Sequence, residues 1–176
     1  PLVGTVPVDG LSEAKAADAM AKALHDQNLV ASAIVAVRRL ESAEQANVKL
    51  TADGEVEVHV GTHSHGQGHE TSFAQVAHEV LTVDFDKIKV YQGDTLTTPY
   101  STATWGSRSM VHGGGAVATA SRILARRAAH IGAWLLQADP ATARVADGKV
   151  YAGKGSVSLR EVAQAWYLQP QNLPTD

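Results

Sequence analysis

Alternating apolar and polar residues mark the clearest strand of the chain. Over residues 55–60 three valines alternate with glutamate and histidine, which is the period of a strand buried on one face only. Asp53-Gly54 lies just before this segment and is typical of a tight hairpin turn, so residues 48–50 are predicted to pair with it. A second short apolar run, at 88–91, predicts another strand.

Four segments carry apolar residues at the three- and four-residue spacing of a helix with one buried face. The first is rich in alanine and covers about 12–28. The third covers about 117–135, and the fourth covers 158–166, where Ser158 and Glu161 have the spacing of a capping box. The second helix is predicted to bury Phe73, Val76, Ala77, Val80 and Leu81.

Two starts are open for this second helix. Ser72 and Gln75 have the spacing of a capping box, in which each side chain satisfies an N–H group at the start of the helix. Glu70 and the glycines before it also allow a start one turn earlier. The sequence leaves both alternatives open.

The order of the elements predicts an α/β to α+β fold: a short mixed sheet with helices packed on it, built from two strand–loop–helix units. A strand at 31–37 and a small hairpin at 145–151, with a turn at Asp147-Gly148, complete the set of strands. The tail at 169–176 contains two prolines and is predicted to be a loop. The chain is expected to form one compact domain overall.

Composition and charge leave the predicted fold unchanged and exclude several classes of function. A net charge of -3 with no basic face gives no reason to expect nucleic acid. The absence of cysteine excludes disulfides, thiolate nucleophiles and iron–sulfur ligation by this chain. No apolar run reaches the roughly 20 residues of a membrane span, and residues 1–7 lack the features of a signal peptide. A cytoplasmic protein without a membrane span is expected.

Two loops have the composition of an anion-binding site, and each leads from a strand into a helix. The first, at 61–71, contains Gly66 and Gly68, which allow a sharp turn and a close approach of backbone to a ligand. The second, at 97–109, is rich in serine and threonine and contains one arginine, all of which donate hydrogen bonds to phosphate. Neither loop has P-loop or dinucleotide-binding spacing, and such compositions also occur in ordinary turns. Two loops that share one ligand must lie side by side.

The histidines between residues 59 and 78 suggest an alternative function. His63, His65 and Glu70 form an H-x-H-x4-E pattern, which partly matches the first metal motif of cupins. The flanking glycines of that motif are missing, and a helix is predicted where a cupin continues as a strand. The alternatives are a non-catalytic metal- or anion-binding module that uses the His59–His78 cluster, or loop histidines without a ligand.

Six strings occur in a fixed order along the chain: GTHSHGQGHET at 61–71, VYQGDT at 90–95, TP at 98–99, TWGSRS at 104–109, GGG at 113–115 and SLREVA at 158–163. Taken in order, they resemble the large subunits of molybdenum hydroxylases, the family of xanthine dehydrogenase, carbon monoxide dehydrogenase and aldehyde oxidase. The resemblance covers 48–168, whereas 1–47 is a poorly matched segment with one helix and 169–176 is a terminal loop.

The resemblance implies a fragment of the family's second molybdopterin-binding domain. In that family the Gly-Gln-Gly turn faces the pterin and its phosphate, and the Ser/Thr loop binds the cofactor's phosphates and dithiolene end. The cofactor-binding residues that it implies here are His65, Gly66, Gln67, Gly68 and His69 on the first loop, and Thr104, Gly106, Ser107, Arg108 and Ser109 on the second.

The resemblance assigns no catalytic residue and no metal ligand to this chain. The family's general base lies in a Gly-Glu-Pro or Gly-Glu-Gly context, and an Ala-Tyr-Arg loop completes the surroundings of the metal; neither occurs here. The implied cofactor is a molybdopterin (cytosine) dinucleotide, shared with the remainder of the large subunit. The implied partners are iron–sulfur and FAD subunits, in an enzyme that oxidises a C–H, aldehyde or CO-type substrate with water as the oxygen source. The chain alone is expected to be inactive.

Overall fold

Residues 44–173 are described by a computed structural model, and they have a mixed α and β fold, as predicted. The predicted helix at 12–28 and the predicted strand at 31–37 lie outside the described residues. Among the described residues, no helix is both long and apolar enough to cross a membrane.

The first sheet of the described region has three strands, β1 (Ala46–Leu50), β2 (Val56–Val60) and β3 (Ile88–Tyr91), in that order. β1 pairs antiparallel with β2, which confirms the hairpin, and β3 pairs parallel with β2. The valines of β2 are fully buried, so the alternating pattern correctly identified the buried face. The parallel pairing places the carboxyl ends of β2 and β3 at the same edge of the sheet.

Helix α1 (His69–Leu81) connects β2 to β3 and packs against both the sheet and α2 (Gly115–Leu135). Its buried face is shifted relative to the predicted stripe and contains Phe73, Ala74, Ala77 and Leu81. Two residues of the predicted face, Val76 and Val80, are less buried than the others. Both are half-buried at the margin of this face.

Helix α2 follows a π-helical turn (Ser109–Gly114) that leads directly into it. Its buried residues include Val117, Leu124 and Ile131, which confirms the predicted stripe. Near its end, α2 approaches the second sheet very closely, because a Cβ at Gly132 would lie 2.5 Å from the side chain of Val150. Glycine at this position therefore sets the distance between the helix and the second sheet.

The second sheet consists of β4 (Arg144–Ala146), β5 (Lys149–Ala152) and β6 (Gly155–Ser158), all antiparallel. The hairpin of β4 and β5 was predicted, whereas β6 was not. Helix α3 (Leu159–Leu168) follows, and its capping box is confirmed: Ser158 Oγ accepts from the N–H of Glu161, and the Glu161 carboxylate accepts from the N–H of Ser158. The predicted loop after it contains a short 3₁₀ turn at Pro170–Asn172.

Candidate functional site

The first loop leaves the carboxyl end of β2 and enters α1 through two glycines in left-handed conformations. Gly66 has φ +101° and Gly68 has φ +73°, values that favour glycine, and a Cβ at either position would meet nothing within 4 Å. The loop backbone there is therefore open to a ligand. Of the two helix starts that the sequence left open, the earlier one is observed: α1 begins at His69, and Ser72 Oγ donates to the carbonyl of Gly68 at 3.2 Å and does not cap the helix.

Two side chains with different surroundings lie in the first turn of α1. His69 is buried against Phe73, with ring centroids 5.3 Å apart, and its Nδ1 has no hydrogen-bond partner. Glu70 is exposed, and its carboxylate accepts a hydrogen bond from Gln92 Nε2 at 2.6 Å. A hydrogen bond from its own backbone N–H, followed by that from Gln92, lowers the pKa of Glu70. An ionised carboxylate therefore lies beside the start of the helix, and an incoming anion must bind next to it.

The second loop leaves the carboxyl end of β3 and has an irregular backbone before the π-helical turn. Ala103, Gly106 and Ser107 have φ of 77°, 58° and 56°, so two non-glycine residues adopt the left-handed region within five positions. Gly106 faces open space, and Ser107 is exposed. Ser109 is buried at the start of the π-helical turn.

Arg108 does not extend into solvent as an exposed phosphate-binding arginine would. Its Nη1 donates to Glu44 and, at 3.3 Å, to the carbonyl of Ala103. The side chain of Glu44 has no exposed surface and that of Arg108 is 12% exposed. The guanidinium also lies 5.5 Å from the centre of the Trp105 ring. These contacts of Arg108 therefore tie the second loop to Glu44, which lies just before β1.

The two loops contact each other directly. Thr104 Oγ1 donates to the carbonyl of His63 at 2.6 Å and accepts from the N–H of His63 at 2.9 Å. Behind this junction, a Cβ at Gly61 would overlap Ser101, so the two chains are close there as well. Both loops follow parallel neighbouring strands, so the topology brings them to one edge of the sheet. The side-by-side placement that a shared ligand requires is confirmed, and the assignment of the individual residues to a ligand stays a prediction.

The histidines of the alternative function are dispersed. His63 and His65 lie near each other, with ring centroids 5.1 Å apart, whereas His69 is buried in α1. His59 stacks on a tyrosine of β3, and Nδ1 of His78 lies 2.7 Å from the carbonyl of Val83. Within residues 44–173, no three His, Asp or Glu side chains are arranged to hold a metal ion.

One residue of this region, Glu44, was not predicted from the sequence. Its Oε1 accepts hydrogen bonds from Thr102 N and Oγ1, at 3.3 and 3.1 Å, in addition to that from Arg108. No local pattern marks it, because its partners lie 58 and 64 residues further along the chain.

Two adjacent loops with open glycine backbone at a common sheet edge are a geometry in which α/β folds bind phosphorylated cofactors. The chain matches the protein-family model for a molybdopterin cofactor-binding domain over residues 15–176, and it belongs to that family. Its relatives include large subunits of a hydroxylase and of a dehydrogenase. It is 33% identical over 134 residues to the nicotine 6-hydroxylase large subunit of Paenarthrobacter nicotinovorans, an alignment that covers 74% of this chain and 16% of the relative.

Two further comparisons are with carbon monoxide dehydrogenases. The carbon monoxide dehydrogenase large chain of Afipia carboxidovorans is 38% identical over 104 residues, covering 59% of this chain and 12% of the relative. The crystal structure of the Cu,Mo-CO dehydrogenase in its carbon monoxide reduced state superimposes with a TM-score of 0.68 at 31% identity, over 73% of this chain and 17% of that one. The chain therefore spans less than a fifth of the length of these relatives.

Proposed function

We propose that this chain forms one wall of the molybdopterin site of a molybdenum hydroxylase large subunit and holds the phosphates of the cofactor between its two loops. The observation that carries the proposal is the Thr104–His63 junction, which joins the two loops at one sheet edge. The residues assigned to the cofactor are His65, Gly66, Gln67, Gly68 and His69 on one side, and Thr104, Gly106, Ser107, Arg108 and Ser109 on the other.

The chemistry of these residues fits a phosphorylated pterin. Backbone at Gly66, Gly68 and Gly106 faces open space, so its polar groups can approach phosphate oxygens without a side chain in the way. The hydroxyl of Ser107 is exposed and offers a donor on the opposite side. The buried Nδ1 of His69 has no partner, and a buried polar atom of this kind is rare unless a ligand or water completes it.

When bound, the cofactor supplies the redox chemistry of molybdenum and pterin. The residues of this chain then bind and orient. Their backbone N–H and hydroxyl groups stay protonated at neutral pH, so these groups hold phosphate without a proton transfer of their own. The ionised Glu70 beside the start of α1 repels a second negative charge, which favours a phosphate placed towards Gly66 and the second loop.

The finer features of the assembly are part of the same proposal. The cofactor is the cytosine dinucleotide form, and the substrate is a C–H, aldehyde or CO-type compound that receives oxygen from water. The remainder of a large subunit, with iron–sulfur and FAD subunits, completes the enzyme. The short share of the relatives that the chain spans, and the description of those relatives as large subunits, support this. The chain alone does not turn over aldehydes, purines or carbon monoxide.

Inorganic pyrophosphate, titrated into the full chain by calorimetry with amide hydrogen exchange read in parallel, tests the proposal. Protection of both 64–70 and 104–110 on binding supports it. Protection confined to the second sheet, where Arg144 and Lys154 are exposed, contradicts it, as does the absence of binding.

Stoichiometric zinc binding that is lost in His63→Ala and His65→Ala supports the metal-binding module instead. Turnover by the pure chain contradicts the assignment as an incomplete enzyme.

A further inference from the structure

We propose that Glu44 is a positioning residue that holds the second loop in its phosphate-binding conformation through Thr102 and Arg108. This inference rests on the proposed function of the loop. It concerns a residue outside both loops, which precedes β1 and makes an isolated antiparallel bridge to Ser101. Glu44 acts through these neighbours and is not assigned a contact with the ligand.

Within residues 44–173, the hydrogen bonds between Glu44 and the second loop converge on one short stretch of that loop. Its Oε1 accepts from the N–H and the hydroxyl of Thr102 and from Nη1 of Arg108. Nη1 of Arg108 also donates to the carbonyl of Ala103, and Trp105 Nε1 donates to the carbonyl of Thr102 at 3.0 Å. One buried carboxylate thus connects both ends of the stretch from Thr102 to Arg108.

This stretch needs external ties because its own backbone is unfavourable. Ala103 and Ser107 both have positive φ, a conformation that persists in non-glycine residues only where surrounding contacts impose it. Between them lies Thr104, whose hydroxyl is held on His63 of the first loop. The conformation that presents Thr104 and Ser107 is therefore fixed at one side by His63 and at the other by Glu44.

Removing the charge of Glu44 should change anion binding in one direction if Glu44 positions the loop and in the other direction if charge repulsion alone acts. A carboxylate near an anion site repels the anion, so removing its charge should strengthen binding if Glu44 has no positioning role. Removing the charge of Glu44 would also release the guanidinium of Arg108, which the proposed function assigns to the cofactor, and this release would strengthen binding as well. The positioning role predicts the opposite, because the loop loses its conformation.

The test titrates pyrophosphate into the full chain carrying Glu44→Gln, Glu44→Asp or the control Glu55→Gln. Glu55 pairs with Lys89 at 2.6 Å beyond the opposite end of β2, so its variant makes the same charge change away from the loops. We expect Glu44→Gln to weaken binding about tenfold. Amide exchange over 102–109 should become faster in the same variant, whereas Glu55→Gln should change neither quantity.

Glu44→Asp keeps the charge and withdraws the carboxylate by one methylene, so it changes only the position of the carboxylate. This variant tests the positioning role even if Glu44→Gln does not fold. Weaker binding with faster exchange in Glu44→Asp supports positioning. Unchanged or stronger binding in the folded Glu44 variants, while the wild type binds, overturns the positioning role and leaves the proposed function intact. A wild-type chain that does not bind pyrophosphate overturns both.

Discussion

The hydroxyl of Thr104 lies between the two backbone polar groups of His63, accepting from its N–H at 2.9 Å and donating to its carbonyl at 2.6 Å. One side chain therefore replaces a pair of ladder hydrogen bonds and joins segments that are 41 residues apart. A hydroxyl can do this because it donates and accepts at once. The junction lies where the carboxyl ends of two parallel strands meet, so it fixes the distance between the two proposed cofactor loops.

Thr104→Val should loosen this junction at small cost to the whole fold. The isosteric valine removes both hydrogen bonds, and partial exposure allows water to replace them, so we expect the free energy of unfolding to fall by about 1 kcal/mol. Amide exchange at His63 should accelerate, whereas Thr104→Ser should retain both bonds and wild-type exchange. Equal exchange at His63 in the valine variant and the wild type would show that the junction is not a stabilising contact.

Phe73→Ala and Val80→Ala should separate the centre of the α1 core face from its margin. Phe73 is fully buried and would lie 3.2 Å from a Cβ at Gly113, so its truncation leaves a cavity between α1 and the π-helical turn. We expect a loss of about 3–5 kcal/mol for Phe73→Ala and about 1 kcal/mol for the half-buried Val80→Ala. Urea denaturation measures both; similar losses in the two variants would contradict the observed orientation of the helix.

These elements show how far the sequence predicts the fold. The strand β2 and the hairpin it forms followed from alternating valines, because a one-sided strand leaves a period of two in the sequence. The orientation of α1 was only partly predicted, since Ala74 is buried outside the predicted stripe whereas Val76 and Val80 are only half-buried. Strand β6 was missed because two of its four residues are exposed and only one residue, Val157, is apolar.

The candidate site was predictable to a similar extent. Glycine and hydroxyl content identified the two loops, and the family resemblance supplied their shared ligand. The role of Glu44 was not predictable, because a contact between residues 44 and 108 has no local signature. The guanidinium of Arg108 is bonded to a buried carboxylate, so Arg108→Ala should lower stability in addition to any effect on the ligand.

The capping box of α3 should make part of the stability depend on pH. Hydrogen bonds from the Ser158 side chain and backbone lower the pKa of Glu161 below its ordinary value of 4.5. A folded-state pKa that is lowered adds stability that is fully present above about pH 4.5 and is lost as the pH falls through the folded value. Thermal denaturation between pH 7 and pH 3 should therefore show a smaller acid-induced loss for Glu161→Gln than for Glu79→Gln or the wild type. Parallel curves for all three proteins would contradict the assignment.

Gly66→Ala and Gly115→Ala are matched changes in open space, and they should have opposite effects. Neither added Cβ meets an atom within 4 Å, so only the backbone conformation differs between the two sites. Gly66 has φ +101°, where alanine is strained, and we expect a loss of about 1–3 kcal/mol. Gly115, at the first position of α2, has φ -62°, so alanine there should stabilise the helix by about 0.5–1 kcal/mol. Pyrophosphate binding should weaken only in Gly66→Ala, because its methyl group occupies the space through which the ligand reaches the loop backbone. A Gly66→Ala variant with wild-type stability and affinity would show that neither the turn nor the approach depends on glycine.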